Sequence, residues 1–313
     1  MNRTLKTILP LALSLSALLL SSCGDNSSDS HKEEDYELAV TLAPERRTYL
    51  VDTNFDSTGM EVRLRLKNSN SIGEKVEYTV LDGTHLDLEQ TSVTIAYRSY
   101  RTSLEIKVKE KFHIACIGDS LTEGHMWPAQ SYPSYLAKKV PEHFEVGNFG
   151  KNGISITGYG GSWDNPEMRY IKQEYYKNSI AYEPDILAIM LGTNDATGWE
   201  KAAPTFLDEY KTLLKAYKDA LPFAKTIMMV SPPTKEGNQF GIPNNVIKEQ
   251  VNPIQRQLAE DNGYEILDLR KEFEETENYE SLYLRPYDGV HFTETAADYV
   301  ATRVWDIAKD LKF

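Results

Sequence analysis

The sequence predicts a two-part chain: an α/β domain built on a doubly wound, five-stranded parallel sheet, preceded by a small all-β sandwich. Three observations carry that prediction. From about Tyr36 to Lys109, apolar residues recur with period two in short runs separated by Asn, Asp, Gly and Ser, as in strands with one buried and one wet face. From Lys111 onward, short continuous apolar runs alternate with longer segments of helical character, as in strands buried on both faces beneath covering helices. The length of 313 residues exceeds one ordinary domain and suits two.

The first 22 residues stand apart from both patterns. Arg3 and Lys6 precede an apolar stretch from Ile8 to Leu20, interrupted by Pro10, and the small residues Ser21 and Ser22 follow. The stretch is too short and too punctuated to cross a bilayer and reads as a secretion leader. A plain leader cleaved near Ser22 would give similar letters, but Leu20-Ser21-Ser22-Cys23 resembles the bacterial lipobox. That resemblance implies a lipoprotein signal peptide over residues 1–22 and acylation of Cys23. Each buried methylene of such an anchor contributes about 0.8 kcal/mol. The expected location is the bacterial cell envelope, at the outer membrane, with membrane contact through the lipid anchor only. Residues 23–37 are rich in Ser, Asp and Glu and read as an acidic tether. An acidic run there also resembles the surface-export signal of Bacteroidetes lipoproteins, which extends the expectation to the cell exterior.

Residues 38–110 carry the alternating runs Met60–Leu66, Val76–Val80, Ser92–Tyr97 and Leu104–Val108. The pattern is similar to bacterial Ig-like modules and implies an Ig-like β-sandwich domain. Residues 111–313 form the second domain. Its expected strands are Phe112–Ile117, Phe144–Phe149, Ile186–Leu191, Thr226–Val230 and Tyr264–Leu267. Its expected helices are Tyr132–Val140, Glu167–Tyr182, Thr205–Leu221, Asn245–Asn262 (bent near Pro253 and closed by Gly263) and Glu294–Leu311.

In doubly wound sheets, ligands bind beyond the carboxyl ends of the strands. Those places hold Gly118-Asp119-Ser120-Leu121-Thr122-Glu123-Gly124, Asn148-Phe149-Gly150-Lys151-Asn152-Gly153 and Gly192-Thr193-Asn194-Asp195, with Asp288-Gly289-Val290-His291 before the last helix. Any one alone reads as a polar loop with turn glycines. Together and in this order they resemble the four signature blocks of the SGNH (GDSL) hydrolase family, over residues 112–313. The resemblance implies a flavodoxin-like domain whose nucleophile is Ser120 and whose acid and base are Asp288 and His291. It implies an oxyanion hole made by the amides of Ser120 and Gly153 and the side chain of Asn194. Thr122 occupies the place of the second glycine in G-x-S-x-G, which argues against an α/β-hydrolase nucleophile elbow.

The chemistry agrees. A serine hydroxyl needs a base within hydrogen-bond reach, an imidazole titrates near the working pH, and an acceptor must orient its other nitrogen. Preorganised donors must meet the oxygen that becomes negative in the transition state. Asp195 and Asp119 read as acceptors for loop backbone rather than as catalytic acids. His125 reads equally as a substrate contact or an exposed loop residue, and His31, His85, His113 and His143 as structural. Trp127, Trp163, Trp199 and Tyr159 lie in loops after site-bearing strands, where aromatic faces suit sugar rings as well as loop packing. Asp288 and His291 have no His-x-x-x-His or CxxC companion, so no metal and no cofactor are expected. Cys116 lies in an apolar run and reads as a small buried hydrophobe.

The formal charge is −13, and losing Arg3 and Lys6 with the leader makes the chain more acidic still. No basic patch interleaved with aromatics occurs, which excludes nucleic acid as the expected partner. The expected partner is a small-molecule or glycan ester, and the expected function a serine esterase removing small acyl groups, foremost acetyl, from carbohydrates. A lipase, thioesterase or lysophospholipase of the same family would use the same blocks. A binding protein with a vestigial hydrolase domain conflicts with the intact set of site residues. Oligomeric state is not encoded in any of these patterns.

Overall fold

The structure, a computed structural model, describes residues 35–69 and 71–313. The expected leader and Cys23 lie outside them, as does most of the expected tether. The first strand, β1 (Tyr36–Leu42), begins two residues inside the expected tether.

The N-terminal part is all β. Its strands are β1, β2 (Thr48–Leu50), β3 (Glu61–Leu66), β4 (Glu74–Lys75), β5 (Thr79–Val80), β6 (Ser92–Tyr97), β7 (Tyr100–Glu105) and β8 (Lys107–Lys109). Strands β1, β3 and β4 form one antiparallel sheet and β5, β6 and β7 another, while β2 pairs with β8 in parallel. The inward positions of the alternating runs build one core, with Leu38, Val62, Val93, Ile95 and Leu104 drawn from both antiparallel sheets.

The second part holds β9 (Phe112–Gly118), β10 (Phe144–Gly150), the two-stranded ribbon β11 (Tyr159–Gly160) and β12 (Trp163–Asp164), then β13 (Ile186–Met190), β14 (Lys225–Val230) and β15 (Glu265–Asp268). The five long strands are all parallel, in the order β10-β9-β13-β14-β15. This is the flavodoxin-like order, whose switch point lies between β9 and β13. The continuous apolar runs divide between two cores by the period of the strand. Ile114, Cys116, Ile186, Ala188 and Met190 face one, whereas Ala115, Ile117, Leu187 and Ile189 face the other. Cys116 is fully buried, and burial pushes its thiol up to about 12.

The helices are α1 (Ser120–Glu123), α2 (Tyr132–Lys139), α3 (Glu174–Ala181), α4 (Trp199–Ala220), α5 (Asn244–Val246), α6 (Asn252–Asn262), α7 (Leu269–Glu274), α8 (Tyr279–Tyr283) and α9 (Glu294–Ala308). Three depart from the sequence pattern. The helix expected over Glu167–Tyr182 is two 3-10 turns followed by the shorter α3, because Arg169 stays extended, bridging Ser155 and pairing with Glu209. Helix α4 starts six residues before the expected Thr205 and carries Pro204 inside, near enough to its start that only an early intrahelical bond is lost. The helix expected to bend near Pro253 widens into a π turn at Ile247–Val251, where the missing proline N–H interrupts the regular ladder.

The two parts meet at the amino ends of the parallel strands. Lys109 pairs with Asp185 just before β13, Arg47 lies over the Phe223 ring just before β14, and the Phe313 carbonyl accepts from the Arg47 and Thr48 amides. The β domain therefore sits on the edge of the sheet opposite the strand ends that carry the sequence motifs.

Candidate active site

The apolar run of β9 stops at Gly118. A Cβ there would lie 2.0 Å from Thr122 Oγ1 and 2.8 Å from the Met190 carbonyl, so only glycine lets α1 fold back onto the strand end. Asp119 caps α1 by accepting from the Leu121 amide at 2.9 Å. Ser120 is thereby fixed as the first helical residue, at the switch point of the sheet.

His291 arrives from the other end of the domain. Its Nε2 lies 2.9 Å from Ser120 Oγ, and its Nδ1 lies 3.1 Å from Asp288 Oδ2. The other carboxylate oxygen of Asp288 accepts from the Val290 and His291 amides at 2.8 and 2.9 Å, folding the turn that presents the imidazole. All three side chains are buried. Burial alone would raise Asp288, but hydrogen bonds from the His291 ring and these two amides hold it below the usual carboxylate range. An ionised Asp288 assigns the proton to Nδ1 and leaves Nε2 to accept from the Ser120 hydroxyl.

Gly153 and Asn194 lie on the loops after β10 and β13. Asn194 Nδ2 donates to the Ile154 carbonyl at 2.8 Å, using one of its two hydrogens. Gly153 adopts φ +70°, and a Cβ there would meet Ser162 Oγ at 2.4 Å, so both backbone sign and space require glycine. Asp195 is fully buried and accepts from the amides of Ile156 and Thr157 and from the Thr157 hydroxyl. It therefore fixes loop backbone beside Asn194. Burial raises Asp195 to about 6 against the pull of those hydrogen bonds, and raises Asp119 to about 7.

The structure sorts the aromatic residues into two groups. Tyr159, Trp163 and Trp199 line a groove of about 660 Å³ beside Ala196, along the Asn194 side. Trp127 lies on the His291 side, under the Arg285 guanidinium and edge-on to Tyr287. His125 stacks on His291, and Phe240 stands perpendicular to both rings. His125 is thus neither isolated nor a plain surface residue.

The family model of GDSL-like lipases and acylhydrolases matches residues 116–298. The chain belongs to the GDSL-like lipase/acylhydrolase family. It is 25% identical over 188 residues, 53% of its length, to an acetylxylan esterase of Xylanibacter ruminicola. It is 28% identical over 131 residues, 39% of its length, to an acetylxylan esterase of Geobacillus stearothermophilus. The chain spans only 38% and 58% of the lengths of these two relatives. A lipase/acylhydrolase structure from Enterococcus faecalis superposes with a TM-score of 0.51 at 20% identity, covering 63% of this chain and 95% of that one. That likeness concerns the fold of the α/β domain.

For this GDSL-like chain, the sequence motifs brought Ser120, Asp288 and His291 to one hydrogen-bonded line and Gly153 and Asn194 to adjoining loops. They did not reveal Phe240, Arg285 or Tyr287. Arg285 and Tyr287 lie within six positions of His291, which was a usable signal. Phe240 sits in the irregular segment between β14 and α5 and gave none.

Proposed function

We propose that this GDSL-like protein is a serine esterase that removes small acyl groups, acetyl foremost, from carbohydrate hydroxyls. The observation that carries the reading is the buried line Ser120 Oγ, His291 Nε2, His291 Nδ1, Asp288 Oδ2 at the switch point of the sheet. Ser120 attacks the ester carbonyl while His291 takes its proton, and Asp288 supports the imidazolium that forms. The amides of Ser120 and Gly153 and the second hydrogen of Asn194 Nδ2 receive the developing oxyanion. His291 then protonates the departing sugar hydroxyl. Water, activated by the same imidazole, hydrolyses the acyl-enzyme and restores Ser120. No cofactor enters this sequence.

The acetylxylan esterase relatives and the aromatic residues on both sides of Ser120 support a carbohydrate ester as substrate. The N-terminal β domain fits an Ig-like spacer, since its docking edge faces away from the site and none of its described residues lines it. The Cys23 lipobox supports a lipid anchor in the bacterial envelope. Hydrolysis rates on acetylated xylo-oligosaccharides, other acetylated glycans and p-nitrophenyl esters of increasing chain length test the proposal. Preference for acetylated glycan supports it; preference for long acyl chains assigns the site to a lipase, thioesterase or lysophospholipase instead.

A further inference from the structure

Three chain segments converge on the His291 imidazole, and only one carries Asp288. His125, five residues after Ser120, lies face to face with His291, with ring centroids 3.9 Å apart and planes 8° from parallel. Phe240 stands at 89° to both rings, its centroid 5.0 Å from His291 and 5.7 Å from His125. We propose that His125 is a positioning residue whose ring face fixes the plane of the His291 imidazole and keeps Nε2 aimed at Ser120 during turnover. The inference rests on the serine esterase reading of the site.

The argument is geometric. The hydrogen bonds to Asp288 and Ser120 engage opposite ends of the imidazole. Both act near the ring plane, and the ring is joined to the backbone only through its Cγ–Cβ bond, so small swings about χ1 and χ2 that tilt the ring face still shift Nε2. A flat ring stacked on one face removes that freedom. The need is greatest once Ser120 is acylated, because its hydroxyl no longer bonds Nε2 and Asp288 alone would hold the ring while water is activated.

The stacked residue is itself anchored to both halves of the site. The His125 amide donates to the Ser120 carbonyl at 3.2 Å. The His125 carbonyl accepts from Arg285 Nη1 at 3.1 Å, and the same guanidinium donates through Nε to the Phe292 carbonyl at 2.8 Å. The Arg285 amide donates to the His291 carbonyl at 2.8 Å. One buried arginine thus ties the loop carrying His125 to the loop carrying His291. The charges agree with this role. Besides His291, the groups acting on His125 are Asp288 and the Asn152 side chain, which favour its proton, and Arg285, which opposes it. Burial and the neighbouring His291 lower the proton affinity of His125. His125 is therefore the neutral ring against which an imidazolium forms.

Steady-state kinetics on p-nitrophenyl acetate with the full chain and its His125→Ala, His125→Leu and His125→Phe variants test this, with thermal unfolding measured alongside. Misplacement of a reacting group by about 1 Å can cost about a hundredfold. The expected result is a kcat about 10- to 100-fold lower for Ala and Leu at nearly unchanged KM. Phe, which restores a flat ring, should recover kcat to within about threefold of wild type. If Ala fails to fold, the Leu and Phe pair carries the comparison. Unchanged kcat in Ala and Leu, a rise in KM alone, or a Phe variant as slow as Leu overturns the inference. A wild-type enzyme without Ser120-dependent esterase activity overturns the esterase reading itself, whereas an active enzyme indifferent to His125 overturns only this inference.

Discussion

Lys109 Nζ lies 2.7 Å from Asp185 Oδ2, both buried, and this ion pair joins the β domain to the sheet edge opposite Ser120. Lys109 also donates to the Glu183 carbonyl, and the same Asp185 oxygen accepts from the His113 amide. Removing one member of a buried pair leaves the other charge uncompensated. We expect Lys109→Met to lower stability by about 3 kcal/mol, read as a lower thermal midpoint, with the kcat of the folded protein unchanged. An unshifted midpoint would show that this pair does not hold the domains together.

Asp288 orients His291 and also folds the turn that carries it. Asp288→Asn should lower kcat by about 10³- to 10⁴-fold by favouring the wrong imidazole tautomer, yet less than His291→Ala, which removes the base. Steady-state rates on p-nitrophenyl acetate order the two variants. A nearly active Asp288→Asn would contradict the assigned tautomer.

Asn194 has one amide hydrogen committed to Ile154, and the proposed mechanism gives the other to the oxyanion. Asn194→Ala should lower kcat by about 10²- to 10³-fold, the usual cost of one oxyanion donor. Fluorophosphonate labelling of Ser120 should also slow. A change confined to KM would remove Asn194 from the oxyanion hole.

Asp119 predicts a pH dependence of stability. Its folded value, raised by burial to about 7, exceeds the unfolded value of about 3.9, so the native state binds the proton more tightly. Its favourable contribution is complete below pH 4 or so and is lost as pH rises through about 7. Asp119→Asn keeps a cap oxygen for the Leu121 amide and carries no charge. Its thermal midpoint relative to wild type should therefore be higher at pH 8 than at pH 4.5. An equal difference at both values would contradict the sign.

The sheet was legible in the sequence for physical reasons, and the hydrogen-bonded line of Ser120, His291 and Asp288 through the resemblance of the four blocks. Burial on both faces erases alternation, so the apolar run Ile186–Leu191 reads as a strand covered on both faces, and the abrupt change to Gly192-Thr193-Asn194-Asp195 marks where it ends. Helix limits were less legible where tertiary contacts overrode local preference. Arg169 is held extended by Ser155 and Glu209, and Pro204 masked the true start of α4. The stack of His125 on His291 and the perpendicular Phe240 join three segments with no common period, so no local pattern could reveal them.

The most direct test of the account is the Ser120→Ala variant, assayed for p-nitrophenyl acetate hydrolysis and for covalent labelling by a fluorophosphonate. The account predicts that both are abolished while the thermal midpoint stays close to wild type. Retained hydrolysis or retained labelling would contradict the assignment of Ser120 as the nucleophile.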